Sequence, residues 1–158
     1  MKKSKNKIIY ILLAIILLVI LALILFKNFN QSQKFYLNSE YYNSKGIVKI
    51  DSKKVKELQN NKTSYLLFTN NLYCTFKIPC ETIFEEYSIS NNVEILNIPF
   101  EDFKNTEFYN NIKYAPSVLI IKKGKLIAYL DANSDRDYNK YQNIEDFTKW
   151  INSYIKRN

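Results

Sequence analysis

The sequence lacks histidine altogether and has two glycines, three prolines and two cysteines in 158 residues. The absence of histidine excludes histidine-based catalytic triads, histidine general bases and histidine metal ligands. Two glycines are too few for a dinucleotide-binding fingerprint or a phosphate-binding loop. Two cysteines without histidine also argue against a structural zinc site. We therefore expect neither a metal nor a cofactor.

Nucleic-acid binding is also not expected, although the formal net charge is +8. Four of the positive charges are lysines within the first seven residues, and lysine mixes with glutamate and aspartate elsewhere. The sequence contains no arginine-rich run and no zinc-finger or helix-turn-helix signature. A mild attraction to anionic lipid or to cell wall is the simpler interpretation of the charge.

Residues 8–26 form an uninterrupted apolar run without a charged side chain. About 20 such residues are enough for a helix to cross a bilayer. The lysines in residues 1–7 predict a cytoplasmic N-terminus and an extracytoplasmic C-terminal part. A cleaved signal peptide is the alternative, but the run lacks a small-x-small cleavage site. We therefore predict a cytoplasmic tail, a single-pass membrane anchor and an external domain.

The external part divides into a predicted stalk, residues 27–46, and a predicted folded domain, residues 47–158. The stalk is polar and aromatic without a clear period. In the domain, apolar runs predict strands at 47–50, 64–69, 93–98, 117–121 and 126–130. Helical patterns predict helices at 52–59, 79–88, 102–110 and 144–155, with a polar loop at 131–143. This order predicts an α/β fold in which a mixed sheet carries helices on both faces.

The two cysteines, Cys74 and Cys80, follow the strand at 64–69. A cysteine at the start of a helix after a strand is well placed for thiol chemistry, because the helix N-terminus stabilises a thiolate. Redox pairs normally lie three positions apart, and these two lie six apart. In a continuous helix that spacing separates them by about 9 Å along the axis, whereas a disulfide needs Cα atoms within about 7 Å.

The pair can therefore form a disulfide only if the helix begins at Pro79 and Cys74 folds back over it from a loop. Pro79 permits this, because a proline biases the preceding residue, Ile78, away from helical geometry. Otherwise Cys80 is a small buried apolar residue.

The element order, together with Tyr114-Ala115-Pro116-Ser117 before the final hairpin, resembles the thioredoxin-like superfamily over residues 47–156. The chain also resembles the membrane-anchored thioredoxin-like proteins of Gram-positive bacteria that are called bacteriocin transport accessory proteins. That resemblance rests on the anchor, the Lys122-Lys123-Gly124 turn and Lys149-Trp150-Ile151. It implies that Pro116 is a cis-proline whose peptide bond faces the redox cysteines.

The resemblance allows two registers for the Cys-x-x-Cys motif. In the first, Cys74 is the nucleophilic cysteine and Lys77 stands at the resolving position. In the second, Cys74 is the resolving cysteine and Asn71 replaces the nucleophile. The second register is favoured, because the family has a proline five residues after the resolving cysteine and Pro79 stands there. It implies a degenerate motif, since an asparagine amide cannot attack a disulfide.

Two functions follow from the resemblance. The first is a membrane-anchored enzyme that exchanges thiols and disulfides in exported proteins or peptides and so maintains redox homeostasis. The second is a redox-inactive binding or accessory module for a membrane transporter or secretion system, and whether the chain is an enzyme stays open. The candidate thiol is Cys74, with Cys80 as a partner if the two can pair, and the candidate binding residues are Asn71, Tyr73, Ala115 and Pro116. A structural membrane protein without a chemical task is a third hypothesis.

Overall fold

The computed structural model describes residues 13, 15–21, 34–71 and 77–157. The chain divides into two compact units, Met1–Lys34 and Phe35–Asn158. In the first unit, residues 13 and 15–21 are helical with exposed apolar side chains. No helix among the described residues combines the length and the apolarity that crossing a bilayer requires. Most of the predicted anchor and tail lies outside the described residues.

The second unit is built on a five-stranded mixed sheet in the order β1-β3-β2-β4-β5. Strands β1, β3 and β2 run parallel, whereas β4 is antiparallel to both β2 and β5. The strands are β1 Gly46–Lys49, β2 Tyr65–Asn70, β3 Glu94–Pro99, β4 Ser117–Lys122 and β5 Lys125–Asp131. The two central strands, β2 and β4, are almost entirely buried, as apolar strands covered on both faces are.

Five helices accompany the sheet in the described part of this unit. They are α1 Ser52–Asn60, α2 Cys80–Asn91, α3 Phe100–Phe103, α4 Asp135–Tyr138 and α5 Ile144–Ile151. The β1-α1-β2 and β2-α2-β3 crossovers run in opposite directions along the sheet. Because such crossovers are right-handed, α1 and α2 cover opposite faces, and α5 packs beside α2. The predicted α/β architecture with helices on both faces is confirmed.

Most predicted boundaries are shifted by one to three residues, and three elements differ more strongly from the prediction. The predicted helix at 102–110 is instead the short α3 followed by a 3₁₀ turn, Glu107–Asn110, because Thr106 Oγ1 donates to the Phe103 carbonyl at 2.8 Å and ends α3. The predicted loop at 131–143 contains α4 and a 3₁₀ turn, Asn139–Tyr141. The last helix ends at Ile151, and Ile155 forms a β-bridge with Phe35 instead.

Residues 35–46, which the sequence analysis assigns to the end of the stalk, belong to the compact unit that begins at Phe35. Phe35, Leu37, Tyr41 and Tyr42 are buried in its core. The Phe35 N–H donates to the Tyr154 carbonyl at 3.0 Å, and the Asn38 N–H donates to the Ser64 carbonyl at 2.9 Å. Each buried aromatic ring contributes about 2 kcal/mol of hydrophobic free energy. The sequence of this segment shows no hydrophobic periodicity, because its buried side chains do not lie on one face of a single helix or strand.

The turn between β4 and β5 is held against the end of α1. The Gly124 N–H donates to the Thr63 carbonyl at 2.8 Å, and the Lys123 N–H donates to Ser64 Oγ at 2.9 Å. Gly124 has a φ of +75°, and a Cβ atom there would lie 2.6 Å from the Gln59 carbonyl oxygen. Only glycine therefore permits this approach.

We predict that Gly124→Ala lowers the free energy of unfolding by about 3 kcal/mol. Gly46→Ala is the matched control, because Gly46 has a φ of +106° but no atom lies within 4 Å of the position that a Cβ would take. The control should cost about 1 kcal/mol, from backbone strain alone. Denaturant unfolding of both variants measures the difference, and equal losses would contradict the contact with Gln59.

Buried tyrosine hydroxyls are a second feature of the core. Burial raises the pKa of Tyr65 and Tyr87 above the ordinary value of 10.0, and raises that of Tyr41 to about 12. The Tyr65 hydroxyl has no hydrogen-bond partner among the described residues. By contrast, the Tyr42 hydroxyl donates to the Lys156 carbonyl at 2.7 Å and accepts from the Leu37 N–H at 3.0 Å.

We predict that stability falls as the pH rises above 10, because these tyrosines ionise in the unfolded chain before they do in the folded one. Tyr65→Phe should make that fall shallower and raise the free energy of unfolding at neutral pH by up to about 1 kcal/mol. Tyr42→Phe, which removes a paired hydroxyl, should instead lose about 1 kcal/mol. Circular dichroism during denaturant titrations at neutral and alkaline pH tests this, and a destabilised Tyr65→Phe would refute it.

Candidate functional site

The candidate site lies where β2 ends and β4 begins. The antiparallel register pairs Thr69 with Ser117, which brings Asn70 and Asn71 to the same edge of the sheet as Pro116. The Ala115–Pro116 peptide bond is cis, the geometry that the resemblance implies. The binding roles assigned to Ala115 and Pro116 remain predictions.

Helix α2 begins at Cys80, immediately after Pro79. Residues 77–79 are not helical, so α2 does not extend back towards Cys74 and Pro79 precedes the helix instead of kinking it. Cys80 therefore occupies the first helical position, where the backbone N–H groups favour a negatively charged sulfur. A Cys74–Cys80 disulfide requires a helix that begins here and does not extend back to Cys74. Cys74 and Tyr73 lie outside the described residues.

A cleft of about 240 Å³ brings three of the predicted residues together. Its described lining is Phe68, Asn70, Asn71, Pro79, Cys80, Glu81 and Pro116. Asn71 is exposed, whereas Cys80 is only 1% exposed. Ala115 is half-buried and does not line this cleft. The Cys80 side chain thus forms an inner wall of the cleft, and Asn71 stands at its rim.

Glu81 is a site residue that the sequence reasoning missed. It lies in the first turn of α2, and its carboxylate accepts a hydrogen bond from the Asn70 side-chain amide. This contact ties the end of β2 to the start of α2 across the cleft. An acid in the first turn of a helix also interacts favourably with the helix dipole.

Tyr141 contacts the backbone on the Pro116 side of the cleft from within the core. Its hydroxyl lies 3.0 Å from the Pro116 carbonyl oxygen and 2.8 Å from the Leu130 carbonyl oxygen, and the side chain is fully buried. Burial holds the pKa of Tyr141 well above its ordinary value, and the nearby Cys80 sulfur acts in the same direction. Tyr141 therefore remains a neutral hydrogen-bond donor that connects β4, β5 and the neighbourhood of Cys80.

Gln142 holds the opposite side, just before α2. Its Oε1 accepts from the Ile78 N–H, and its Nε2 donates to the Ile78 carbonyl, both at 3.0 Å. The side-chain amide thereby pairs with the Ile78 backbone as a neighbouring strand would. Neither Tyr141 nor Gln142 was predicted, because both lie in what the sequence presents as a polar loop and no periodicity marks them.

We predict that Gln142→Ala accelerates hydrogen exchange of the Ile78 amide by about tenfold and lowers the free energy of unfolding by about 1–2 kcal/mol. Gln142→Glu is the matched variant, since it keeps the acceptor for the Ile78 N–H and loses the donor to the Ile78 carbonyl. It should keep the Ile78 N–H protected but destabilise the fold at least as much as Gln142→Ala, because a carboxylate oxygen then faces the Ile78 and Tyr141 carbonyl oxygens. Hydrogen exchange read by mass spectrometry measures both, and unchanged exchange at Ile78 would contradict the pairing.

A second cleft, of about 680 Å³, adjoins the first and shares Asn70 and Asn71 with it. It opens at the carboxyl ends of β1, β2 and β3, where ligands commonly bind to parallel sheets. The remaining lining residues are Lys49, Asn97, Pro99, Phe100 and Glu101. Asn97 Oδ1 is buried without a hydrogen-bond partner among the described residues. The two clefts together offer amide groups and an aromatic ring beside Cys80.

Metal-ligating side chains do not cluster in the described part of the chain. Among those residues, no three histidine, cysteine, aspartate or glutamate side chains come close enough to hold a metal ion.

The strand order, the helices on both faces and the cis-proline before β4 together define the fold. The fold is thioredoxin-like. No protein-family model matches the sequence, and no curated protein matches it. The resemblance to the bacteriocin transport accessory proteins therefore stays a prediction.

Solved thioredoxin structures are similar to this chain at low identity. The thioredoxin pre-protein of Schistosoma mansoni is 19% identical, with a TM-score of 0.49, over 69% of this chain and 98% of its own. Thioredoxin O1 of Arabidopsis thaliana is 16% identical, with a TM-score of 0.48, over 70% of this chain and 99% of its own. Malassezia sympodialis thioredoxin is 14% identical, with a TM-score of 0.48, over 70% and 91%. Similarity at this level carries no functional argument.

Proposed function

We propose that this chain is a membrane-anchored, extracytoplasmic thioredoxin-like protein that exchanges thiols and disulfides with exported proteins or peptides. The observation that carries the proposal is the position of Cys80, which is the first residue of α2 and shares a cleft with the cis-proline Pro116. A sulfur at a helix N-terminus beside a cleft is suited to exchange chemistry.

The proposed exchange uses Cys74 as the attacking group and Cys80 as the resolving group. The Cys74 thiolate attacks a substrate disulfide, forms a mixed disulfide and releases one substrate thiolate, which takes up a proton. The Cys80 thiolate then attacks the Cys74 sulfur, closes a Cys74–Cys80 disulfide and releases the second substrate thiol. The substrate is reduced by two electrons and the protein is oxidised by two. The almost complete burial of Cys80 suits the resolving role, which needs contact only with Cys74.

An extended polypeptide is the substrate that the surroundings of Cys80 favour. The cleft is bordered by the end of β2 and by the residues that precede β4, whose backbone groups can pair with an extended chain. Tyr141 holds the border before β4 through the Pro116 carbonyl, and Gln142 holds the Ile78 backbone just before α2. Exposed Asn71 and Tyr114 offer further contacts at the rim.

The anchored, outward-facing topology is supported by the sequence. The apolar run at 8–26 is long enough to span a bilayer, and the lysines before it favour a cytoplasmic N-terminus. The folded unit, Phe35–Asn158, then lies outside the cell membrane, where disulfides persist.

The alternative function is a redox-inactive binding or accessory module for a membrane transporter or secretion system. The observation that favours it is Asn71, which stands at the rim of the cleft, directly after β2, where the second register places the lost nucleophile. Such a module would use the same cleft to bind an extended segment without forming a covalent bond.

Differential alkylation of the full chain, carried out after unfolding in denaturant because folded Cys80 is only 1% exposed, distinguishes the two functions. Under the redox proposal, both cysteines gain an alkyl label only after reduction, and the reduced chain accelerates insulin reduction. Cys80→Ser should trap a mixed disulfide through Cys74, whereas Cys74→Ser should trap none. Thermal unfolding of both variants controls for loss of fold, since Cys80 is buried.

Two results together would refute the redox function: both cysteines are labelled without reduction, and the wild-type chain reduces insulin no faster than Cys74→Ser. Asn71→Cys then tests the accessory module, because it restores a Cys-x-x-Cys motif with Cys74. A gain of insulin reduction by that variant alone supports a binding module that has lost its nucleophile.

A further inference from the structure

Five lysines surround one concavity at the end of the sheet opposite the candidate site. They are Lys56 on α1, Lys62 before β2, and Lys122, Lys123 and Lys125 around the β4–β5 turn. The concavity has a volume of about 660 Å³, and Glu107 is the acidic residue in its described lining. We call this group of five lysines the lysine face.

The charges of the lysine face are not neutralised by described residues. None of the five ammonium groups forms an ion pair within residues 34–71 and 77–157. The C-terminus of α1 lies among them, but a helix end supplies only about half a negative charge. The Gly124 and Lys123 backbone bonds fix the turn that carries three of the lysines. The face is therefore a rigid and largely uncompensated positive surface.

The strand directions place the lysine face away from the candidate site. Lys62 precedes the start of β2, and Asn71 follows its end, so the six residues of β2 separate them by about 20 Å. Likewise, Pro116 precedes β4 and Lys123 follows it. The two surfaces therefore occupy opposite ends of the same two central strands.

The chain enters the folded unit at the same end as the lysine face. Phe35 is the first residue of this unit, and the Lys122 ammonium group lies 5.0 Å from the centre of its ring. Residues 27–34 connect the predicted span to Phe35, and these eight residues reach at most about 29 Å when fully extended. Under the anchored topology proposed above, this reach limits how far Phe35 can lie from the bilayer.

We propose that the lysine face rests on the acidic phospholipid headgroups of the membrane that holds the anchor. Each lysine at an anionic surface strengthens binding, and the tether keeps the local concentration of headgroups high. Ile127, which is 47% exposed, lines the same concavity and can enter the interfacial region between the lysines. This inference rests on the anchored topology proposed above and is independent of the redox assignment.

The consequence is a defined orientation of the external unit. With the lysine face on the headgroups, the cleft that contains Cys80 and Pro116 points away from the bilayer. A polypeptide that emerges from the membrane or diffuses outside it can then reach the cleft without contacting lipid.

Lysine footprinting of the full chain in lipid nanodiscs tests the proposal. Labelling rates of individual lysines by an amine-reactive reagent are compared between phosphatidylglycerol-rich and pure phosphatidylcholine discs. We expect Lys123 and Lys125 to react about fivefold more slowly in the phosphatidylglycerol discs, because headgroups occlude them. High salt should abolish the difference. Lys53 and Lys113, which lie towards the cleft end, should react equally in both discs.

A pair of charge-matched variants makes the test specific. Lys123→Glu/Lys125→Glu should remove the lipid-dependent protection of Lys56 and Lys62, whereas Lys53→Glu/Lys113→Glu should preserve it. Equal labelling of the wild-type face in the two kinds of disc would overturn the proposal. Protection that appears only when a soluble acidic polymer is added to phosphatidylcholine discs would also overturn it, in favour of a polyanionic partner.

Co-elution of the chain with the discs measures membrane anchoring separately. A chain that does not co-elute contradicts the anchored topology, and labelling is then repeated with phosphatidylglycerol vesicles added to the protein. Absence of protection there also overturns the lysine face. Insulin reduction remains the readout for the redox function, so failure of one proposal is distinguishable from failure of the other.

Discussion

The pairing of β2 with β4 is the constraint on which the rest of the structure depends. Both strands are apolar and buried on both faces, so their polar neighbours are confined to the strand ends. The register pairs Thr69 with Ser117 at one end and Tyr65 with Ile121 at the other. A slip of one residue would turn every side chain of a strand to the opposite face. It would also separate Asn71 from Pro116, so the same pairing that builds the core assembles the cleft.

The cleft is supported by residues that lie far from it in sequence. Cys80 takes its position from the start of α2, while Tyr141 and Gln142 reach the Pro116 and Ile78 backbones from the segment before α5. Both contacts satisfy backbone N–H and C=O groups of these residues. Glu81 accepts a hydrogen bond from the Asn70 side chain and so joins the end of β2 to the start of α2. The candidate chemistry therefore depends on a scaffold of hydrogen bonds around the thiol as much as on the thiol itself.

Strand direction also separates the two proposed tasks of the external unit. The cleft lies at the end of β2 and the start of β4, and the lysine face lies at the start of β2 and the end of β4. Phe35, the first residue of the folded unit, lies beside Lys122 of the lysine face. A unit built in this way can bind headgroups with one end and an extended polypeptide with the other, because the rigid central strands keep the two surfaces about 20 Å apart.

The sequence alone determined the order of the five strands and of the three longest helices, because period-2 and helical patterns are local. The resemblance carried by the motif around Pro116 located the cis-proline, but no pattern revealed α4. The sequence did not reveal that Phe35 and Tyr42 belong to the core, since isolated aromatic residues carry no period. It also left open whether Pro79 starts or kinks a helix. Only the tertiary structure decided that α2 begins at Cys80 and that Tyr141 and Gln142 brace the cleft. Those features arise from contacts between segments more than 20 residues apart, which no local pattern encodes.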